Sequence, residues 1–182
     1  MKKLFFGLLV VLGGAVLADV ARPALERAWF VYTLATDAPP PRLPNPVRDR
    51  HTPNIANSWG AARSGGRRHE GIDIFAPKDT PVVSTTRGIV TRVGTNKLGG
   101  QVVTVLGPGL EWHYYAHLDR FGALREGDIV NAGDVLGYVG NTGNARGTPY
   151  HLHYGIYRHG AAENPYLRLA ATKAASAART TG

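Results

Sequence analysis

The 182-residue chain contains no cysteine, which excludes a disulfide framework and a lipid-attachment cysteine. Acidic residues are scarce: 13 Asp and Glu stand against 21 Lys and Arg, giving a formal charge of +8 and a pI near 10.0. That balance suits an anionic partner, either nucleic acid or a wall or membrane surface carrying acidic groups. A clustered basic and aromatic pattern is lacking, which counts against nucleic acid. The glycine-rich stretch Gly137–Gly147 has no Gly-Lys-Ser/Thr ending. A phosphate-cradling loop is set aside, and a β-turn loop is expected there.

A long apolar run is also missing. Leu4–Ala18 falls short of the roughly 20 residues that a bilayer-spanning helix needs. It follows a basic start, Met1-Lys2-Lys3, and ends in Val16-Leu17-Ala18 before Asp19, the pattern of a small-residue cleavage site. Residues 1–18 therefore read as an export signal cleaved after Ala18, with an uncleaved membrane anchor as the rival. Either way the protein is expected outside the cytoplasm, in the periplasm or cell envelope, tethered to the inner membrane if uncleaved. An exported protein does not meet chromosomal DNA.

Residues 19–50 are expected to form a short helix and a linker. Leu25, Ala28, Trp29 and Tyr32 fall at helical spacing and read as a packing face. Pro39-Pro40-Pro41, Pro44 and Pro46 then predict a stiff, extended spacer. Residues 51–169 alternate short apolar runs with Gly, Pro, Asp and Asn, the mark of an all-β domain. Expected strands are Gly71–Phe75, Val82–Ser84, Gly88–Val93, Gln101–Leu106, Glu111–His117, Asp134–Val139 and His151–Tyr157, with a hairpin turn at Gly107-Pro108-Gly109. The steps Gly127-Asp128 and Gly133-Asp134 suggest paired tight turns. An Ala-rich tail, residues 170–182, is assigned no function.

Four of the seven histidines fall in three short strand-like segments: His69 to Asp73, Tyr114 to Leu118, and His151 to His153. Residues two or four apart in a strand face the same way. His69 and Asp73 should share a face, with Ile72 and Ile74 turned to a core. His151 and His153 should share another, backed by Leu152, Tyr154 and Ile156. The same rule groups His113, Tyr115 and His117, with Trp112, Tyr114 and Leu118 behind. Tyr115 and Tyr157 are then candidates for the groove lining or for packing, and His51, His113 and His159 read as structural or surface histidines. Three ligands drawn from imidazoles and a carboxylate would satisfy zinc and leave a water position open, with two histidines to spare for acid–base work. The start His69-Glu70 superficially suits a helical His-Glu-x-x-His site, but position 73 is aspartate and β-branched neighbours favour a strand.

These residues resemble the lysostaphin/LytM-type zinc metallopeptidases that cut peptide cross-links of bacterial cell walls. The likeness rests on His69-Glu70-Gly71-Ile72-Asp73, Tyr115-Ala116-His117-Leu118, Val139-Gly140-Asn141-Thr142-Gly143 and His151-Leu152-His153. It covers roughly residues 51 to 168. The resemblance implies that His69, Asp73 and His153 hold one Zn²⁺ and that His117 and His151 form the unliganded catalytic pair. It implies an antiparallel two-sheet, barrel-sandwich fold with a groove over the metal, and peptidoglycan peptide stems as substrate. A departure is Tyr150 before the His-x-His, where the family often has Pro; here Pro149 lies one position earlier. The rival function is a non-catalytic envelope module that binds peptidoglycan and activates another hydrolase.

Overall fold

The computed structural model describes residues 22–48 and 55–169. The expected signal or anchor, His51 and the Ala-rich tail lie outside them. Among the described residues nine strands follow in chain order: β1 (Ile72–Phe75), β2 (Pro81–Val83), β3 (Gly88–Asn96), β4 (Gly100–Leu106), β5 (Trp112–Phe121), β6 (Ile129–Val130), β7 (Val135–Val139), β8 (His151–Arg158) and β9 (Ala161–Glu163). The expected strands are all present. β6 and β9, of two and three residues, were not expected. A helix, α1, spans 22–36 and a helical turn, α2, covers 166–169.

Every strand pairing is antiparallel, and the main path runs β1-β8-β5-β4-β3-β6. The two-sheet expectation needs correction. There is one open hydrogen-bonded sheet that forks at β5, because the two halves of this long strand have different neighbours. Trp112 to Ala116 pair with β8, whereas Leu118 to Phe121 pair with β7, which in turn pairs with β2.

The apolar side chains that alternate along these strands close over one core. Ile72 and Ile74 from β1, Val103 and Val105 from β4, and Leu152, Tyr154 and Ile156 from β8 are all buried in it. Because Ile72 and Ile74 in β1 and Leu152, Tyr154 and Ile156 in β8 point inward, their neighbours of the opposite phase point outward. Asp73 and His153 are thereby sent to the far face. The twin Gly-Asp steps fold alike. Asp128 Oδ2 accepts the Arg125 N–H and Asp134 Oδ2 accepts the Asn131 N–H, both at 2.7 Å, with Gly127 at φ 91 and Gly133 at φ 96.

The proline-rich stretch, expected as a stiff, extended spacer, packs onto the domain instead. Leu43 and Val47 are buried in the core, and backbone bonds join Leu43 to Arg168, Val83 to Pro46 and Arg48 to Pro81. Proline removes donors and fixes φ, but the apolar residues between the prolines still seek burial. Arg168 ties the same stretch down, donating to both oxygens of buried Glu111 at 2.8 and 2.9 Å and to the Pro40 carbonyl at 2.6 Å. The helix reading also changes in one respect. Leu25, Trp29 and Tyr32 are 68%, 66% and 56% exposed, so that stripe is not packed on the domain. Instead α1 docks through buried Leu34, through Arg27 to the Gly127 carbonyl and through Phe30 under the Arg87 guanidinium.

Candidate metal centre

His69 sits just ahead of β1 with its backbone held on both sides. Its N–H donates to Ala61 and its carbonyl accepts from Gly60, each at 2.9 Å. Asp73 lies directly across from His153 in the β1–β8 ladder. The three side chains meet: His69 Nε2 is 3.1 Å and His153 Nδ1 is 3.2 Å from Asp73 Oδ1, and the two nitrogens are 2.9 Å apart.

The chemistry of this donor set fits a cation. His69 Nδ1 faces the Ser58 carbonyl at 2.8 Å, and a carbonyl only accepts, so Nδ1 holds the proton and Nε2 presents a lone pair. A carboxylate oxygen and two ring nitrogens aimed at one point repel unless something positive lies between them. Burial alone would raise the Asp73 pKa. Hydrogen bonds and charge from His153 and His69 outweigh it and hold the carboxyl far below the usual carboxylate range. Burial pushes the His153 pKa down, favouring the neutral, ligating form. Two imidazoles and one carboxylate with space beside them match a zinc site that keeps a position open. Gly71 makes room for the ring. A Cβ there would lie 2.6 Å from the Tyr154 carbonyl oxygen and 2.7 Å from His153 Cε1.

His117 and His151 stand beside this cluster with ring centroids 5.0 Å apart, and His117 is 5.9 Å from His153. His117 Nδ1 donates to the Thr142 carbonyl and His151 Nδ1 to the Pro149 carbonyl, both at 2.8 Å. A ring whose one proton sits on Nδ1 offers an unprotonated Nε2. Burial, then the neighbouring His151, pushes the His117 pKa down to about 4, so His117 is neutral at neutral pH. All five expected site residues line one groove of about 1030 Å³.

The route by which His117 reaches the groove differs from simple alternation. His113 and Tyr115 are fully buried, whereas Tyr114 and Ala116 line the groove together with His117. His117 has φ 63. Here β5 carries an extra residue against β4, since Tyr115 faces Val103 while Leu118 faces Gln101. This bulge resets the side-chain phase, so Tyr115 belongs to the core and Tyr114 to the groove. Tyr157 is half-buried on the groove wall, where burial and the nearby Glu70 push its phenol up to about 12. His113 is a core histidine that accepts from or donates to Tyr154 Oη at 2.8 Å, and His159 is exposed, as expected of both.

Residues 67–165 match peptidase family M23. The chain belongs to that family. The motif residues His69, Asp73, His117, His151 and His153 all fall inside the matched M23 segment, and zinc is the metal of M23 peptidases. The L-Ala–D-Glu endopeptidase of Bacillus subtilis is 41% identical over 124 residues, spanning 64% of this chain and 37% of that protein. Lysostaphin of Staphylococcus simulans is 33% identical over 91 residues, 49% of this chain and 18% of that one. The catalytic domain of the S. simulans lysostaphin aligns in three dimensions with a TM-score of 0.55 at 28% identity, covering 62% of this chain and 90% of that domain. The chain thus spans well under two thirds of the length of the B. subtilis relative.

Reading single residues missed Ser58, whose carbonyl sets the His69 tautomer, and the Thr142 carbonyl that does so for His117. It also missed Tyr114 and Arg63 on the groove. A backbone carbonyl leaves no mark on residue identity. Arginine in a loop carries none that separates it from the other solvated arginines.

Proposed function

We propose that this M23 peptidase hydrolyses peptide cross-links of peptidoglycan. The observation that carries the reading is the convergence of His69 Nε2, Asp73 Oδ1 and His153 Nδ1 beside two histidines whose Nδ1 protons are already committed. In this reading His69, Asp73 and His153 hold the zinc. When bound, zinc polarises the scissile carbonyl and lowers the pKa of a water. His117, neutral and with a free Nε2, accepts the proton of the attacking water. Once protonated it can donate to the departing amine. His151 presents the same free nitrogen from the neighbouring strand β8, its ring 5.0 Å from that of His117, and orients the water or the carbonyl group.

The groove suits an anionic stem peptide. Arg63, Arg67, Arg68 and Lys97 line it, against Glu70 and the metal-directed Asp73. Tyr114 and Tyr157 stand edge to face at 6.4 Å and give its wall flat apolar surface. The relatives support the same class of substrate. One is an L-Ala–D-Glu endopeptidase, and a peptidoglycan DD-endopeptidase of Vibrio cholerae is 31% identical over 99 residues, 54% of this chain and 22% of that protein. Mass spectrometry of fragments released from defined cell walls tests the assignment. New amino and carboxyl termini should appear with zinc and vanish with chelator. Wall binding without release would instead indicate the non-catalytic module.

We also propose that residues 1–18 export the chain to the cell envelope, with an inner-membrane tether where they are retained. The exposed Leu25-Trp29-Tyr32 stripe, with Trp29 and Tyr32 stacked at 5.3 Å, supports a membrane-surface location for α1, since such aromatics favour the interface. Among the described residues no helix is long and apolar enough to cross a membrane. Fractionation of cells expressing the whole chain, with alkaline extraction of membranes, separates the periplasmic, tethered and cytoplasmic outcomes.

A further inference from the structure

Arg63 lies in a tight loop that leads directly into the metal-directed His69. Its N–H donates to the Arg67 carbonyl at 2.9 Å, and Ala62 bridges Arg68 across the same loop. Gly65 and Gly66 turn the tip with φ of 72 and 73, a conformation that suits glycine. The loop base is the backbone pairing of His69 with Gly60 and Ala61. Arg63 is thus fixed to the segment that positions one ligand, and its side chain reaches across to another.

Its Nη2 is 2.5 Å from Asp73 Oδ2. The two oxygens of Asp73 therefore have separate tasks. Oδ2 is held by the guanidinium, and Oδ1 faces His69 Nε2 and His153 Nδ1. The backbone N–H of Asp73 is held as well, donating to Ser58 Oγ at 3.0 Å. Turning both oxygens toward one ion would break the Arg63 contact to Oδ2.

We propose that Arg63 is a positioning residue that makes Asp73 a one-oxygen ligand, keeping a coordination position open for water or substrate. This rests on the reading of Asp73 as a zinc ligand. Two effects oppose each other. The guanidinium orients the carboxylate, which strengthens binding, and its positive charge so close to the site repels a dication. Partners that orient a ligand from behind contribute about 10–100-fold in metal affinity. Arg63 is partly solvated, its side chain 38% exposed, which screens the repulsion. Orientation should win.

The test is zinc affinity of the purified chain, measured by competition with a chromophoric chelator, for Arg63→Ala, Arg63→Lys and Asp73→Asn. Arg63→Ala should bind zinc about 10–100-fold more weakly, with Arg63→Lys between it and the parent. A second readout is the visible spectrum of the Co²⁺-loaded protein, which weakens as coordination number rises. Arg63→Ala should lower the absorption as the second carboxylate oxygen is freed, while the metal-free proteins melt alike. Unchanged or tighter zinc binding with an unchanged cobalt spectrum in Arg63→Ala overturns the proposal. Asp73→Asn separates the two levels: if it binds zinc like the parent, the ligand assignment itself fails, whereas loss there with an unaffected Arg63→Ala removes only the role of Arg63.

Discussion

His117 donates its Nδ1 proton to the Thr142 carbonyl at 2.8 Å, so the only nitrogen it can offer a substrate is an unprotonated Nε2. His117→Ala should keep zinc and lose turnover by about 10²–10⁴-fold, the usual contribution of a positioned base. His153→Ala should lose both zinc and turnover, and with them the zinc-dependent rise in melting temperature that a site-bound ligand confers. Metal analysis, calorimetry and wall digestion of the two variants read this out. Full zinc occupancy in His153→Ala would overturn the ligand assignment.

Gly71 leaves space that no other residue can. A Cβ would press on the Tyr154 carbonyl and the His153 ring, and both belong to β8, which is paired on two sides by β1 and β5. Gly71→Ala should cost about 1–3 kcal/mol of stability, as overpacking does, and weaken zinc binding by moving the ligand. Denaturant unfolding with and without zinc measures both effects. A neutral Gly71→Ala would mean that β8 yields easily.

The proline-rich stretch should behave as part of the domain. Leu43 is fully buried and its N–H donates to the Arg168 carbonyl at 3.2 Å. Leu43→Ala should destabilise the protein by about 2–5 kcal/mol, the range for truncating a core leucine. A free spacer would tolerate the change, so urea melts of this one variant separate the alternatives.

His113 makes stability fall in acid. Burial, then the charge of Arg168, lowers its pKa to about 3, while an unfolded histidine titrates near 6.5. Between these values the unfolded chain binds a proton that the folded chain refuses. The contribution is therefore fully present above about pH 6.5 and drains away as pH falls toward 3, at up to about 1.4 kcal/mol per pH unit. His113→Gln keeps a partner for Tyr154 Oη but cannot titrate. Its stability should depend less steeply on pH across this window, by up to one proton. An unaltered slope would show that His113 is not the group responsible.

How much was legible before any coordinates depends on how local each cause is. Most strands of the matched segment could be expected because apolar residues recur with period two between Gly and Asp turns, as Ile72 and Ile74 do in β1 and Leu152, Tyr154 and Ile156 do in β8. β6 and β9 are held by pairing with β3 and β8, which no rhythm within two or three residues announces. The Leu25-Trp29-Tyr32 spacing identified a helix correctly but assigned its outer face as the inner one. Spacing states that residues share a side, and only the neighbouring elements say what that side meets.

That Asp73, His151 and His153 share the face opposite the core was determined by the chain alone. Ile72, Ile74, Leu152 and Tyr154 must be buried, and their phase obliges Asp73, His151 and His153 to face the other way. Tertiary structure decided what no such phase contains: the bulge that brings His117 to the groove while sending Tyr115 inward, the fork of the sheet at β5, and the grip of Arg63 on Asp73. Each depends on two segments distant in sequence satisfying one another's hydrogen bonds, and that constraint exists only once both are in place.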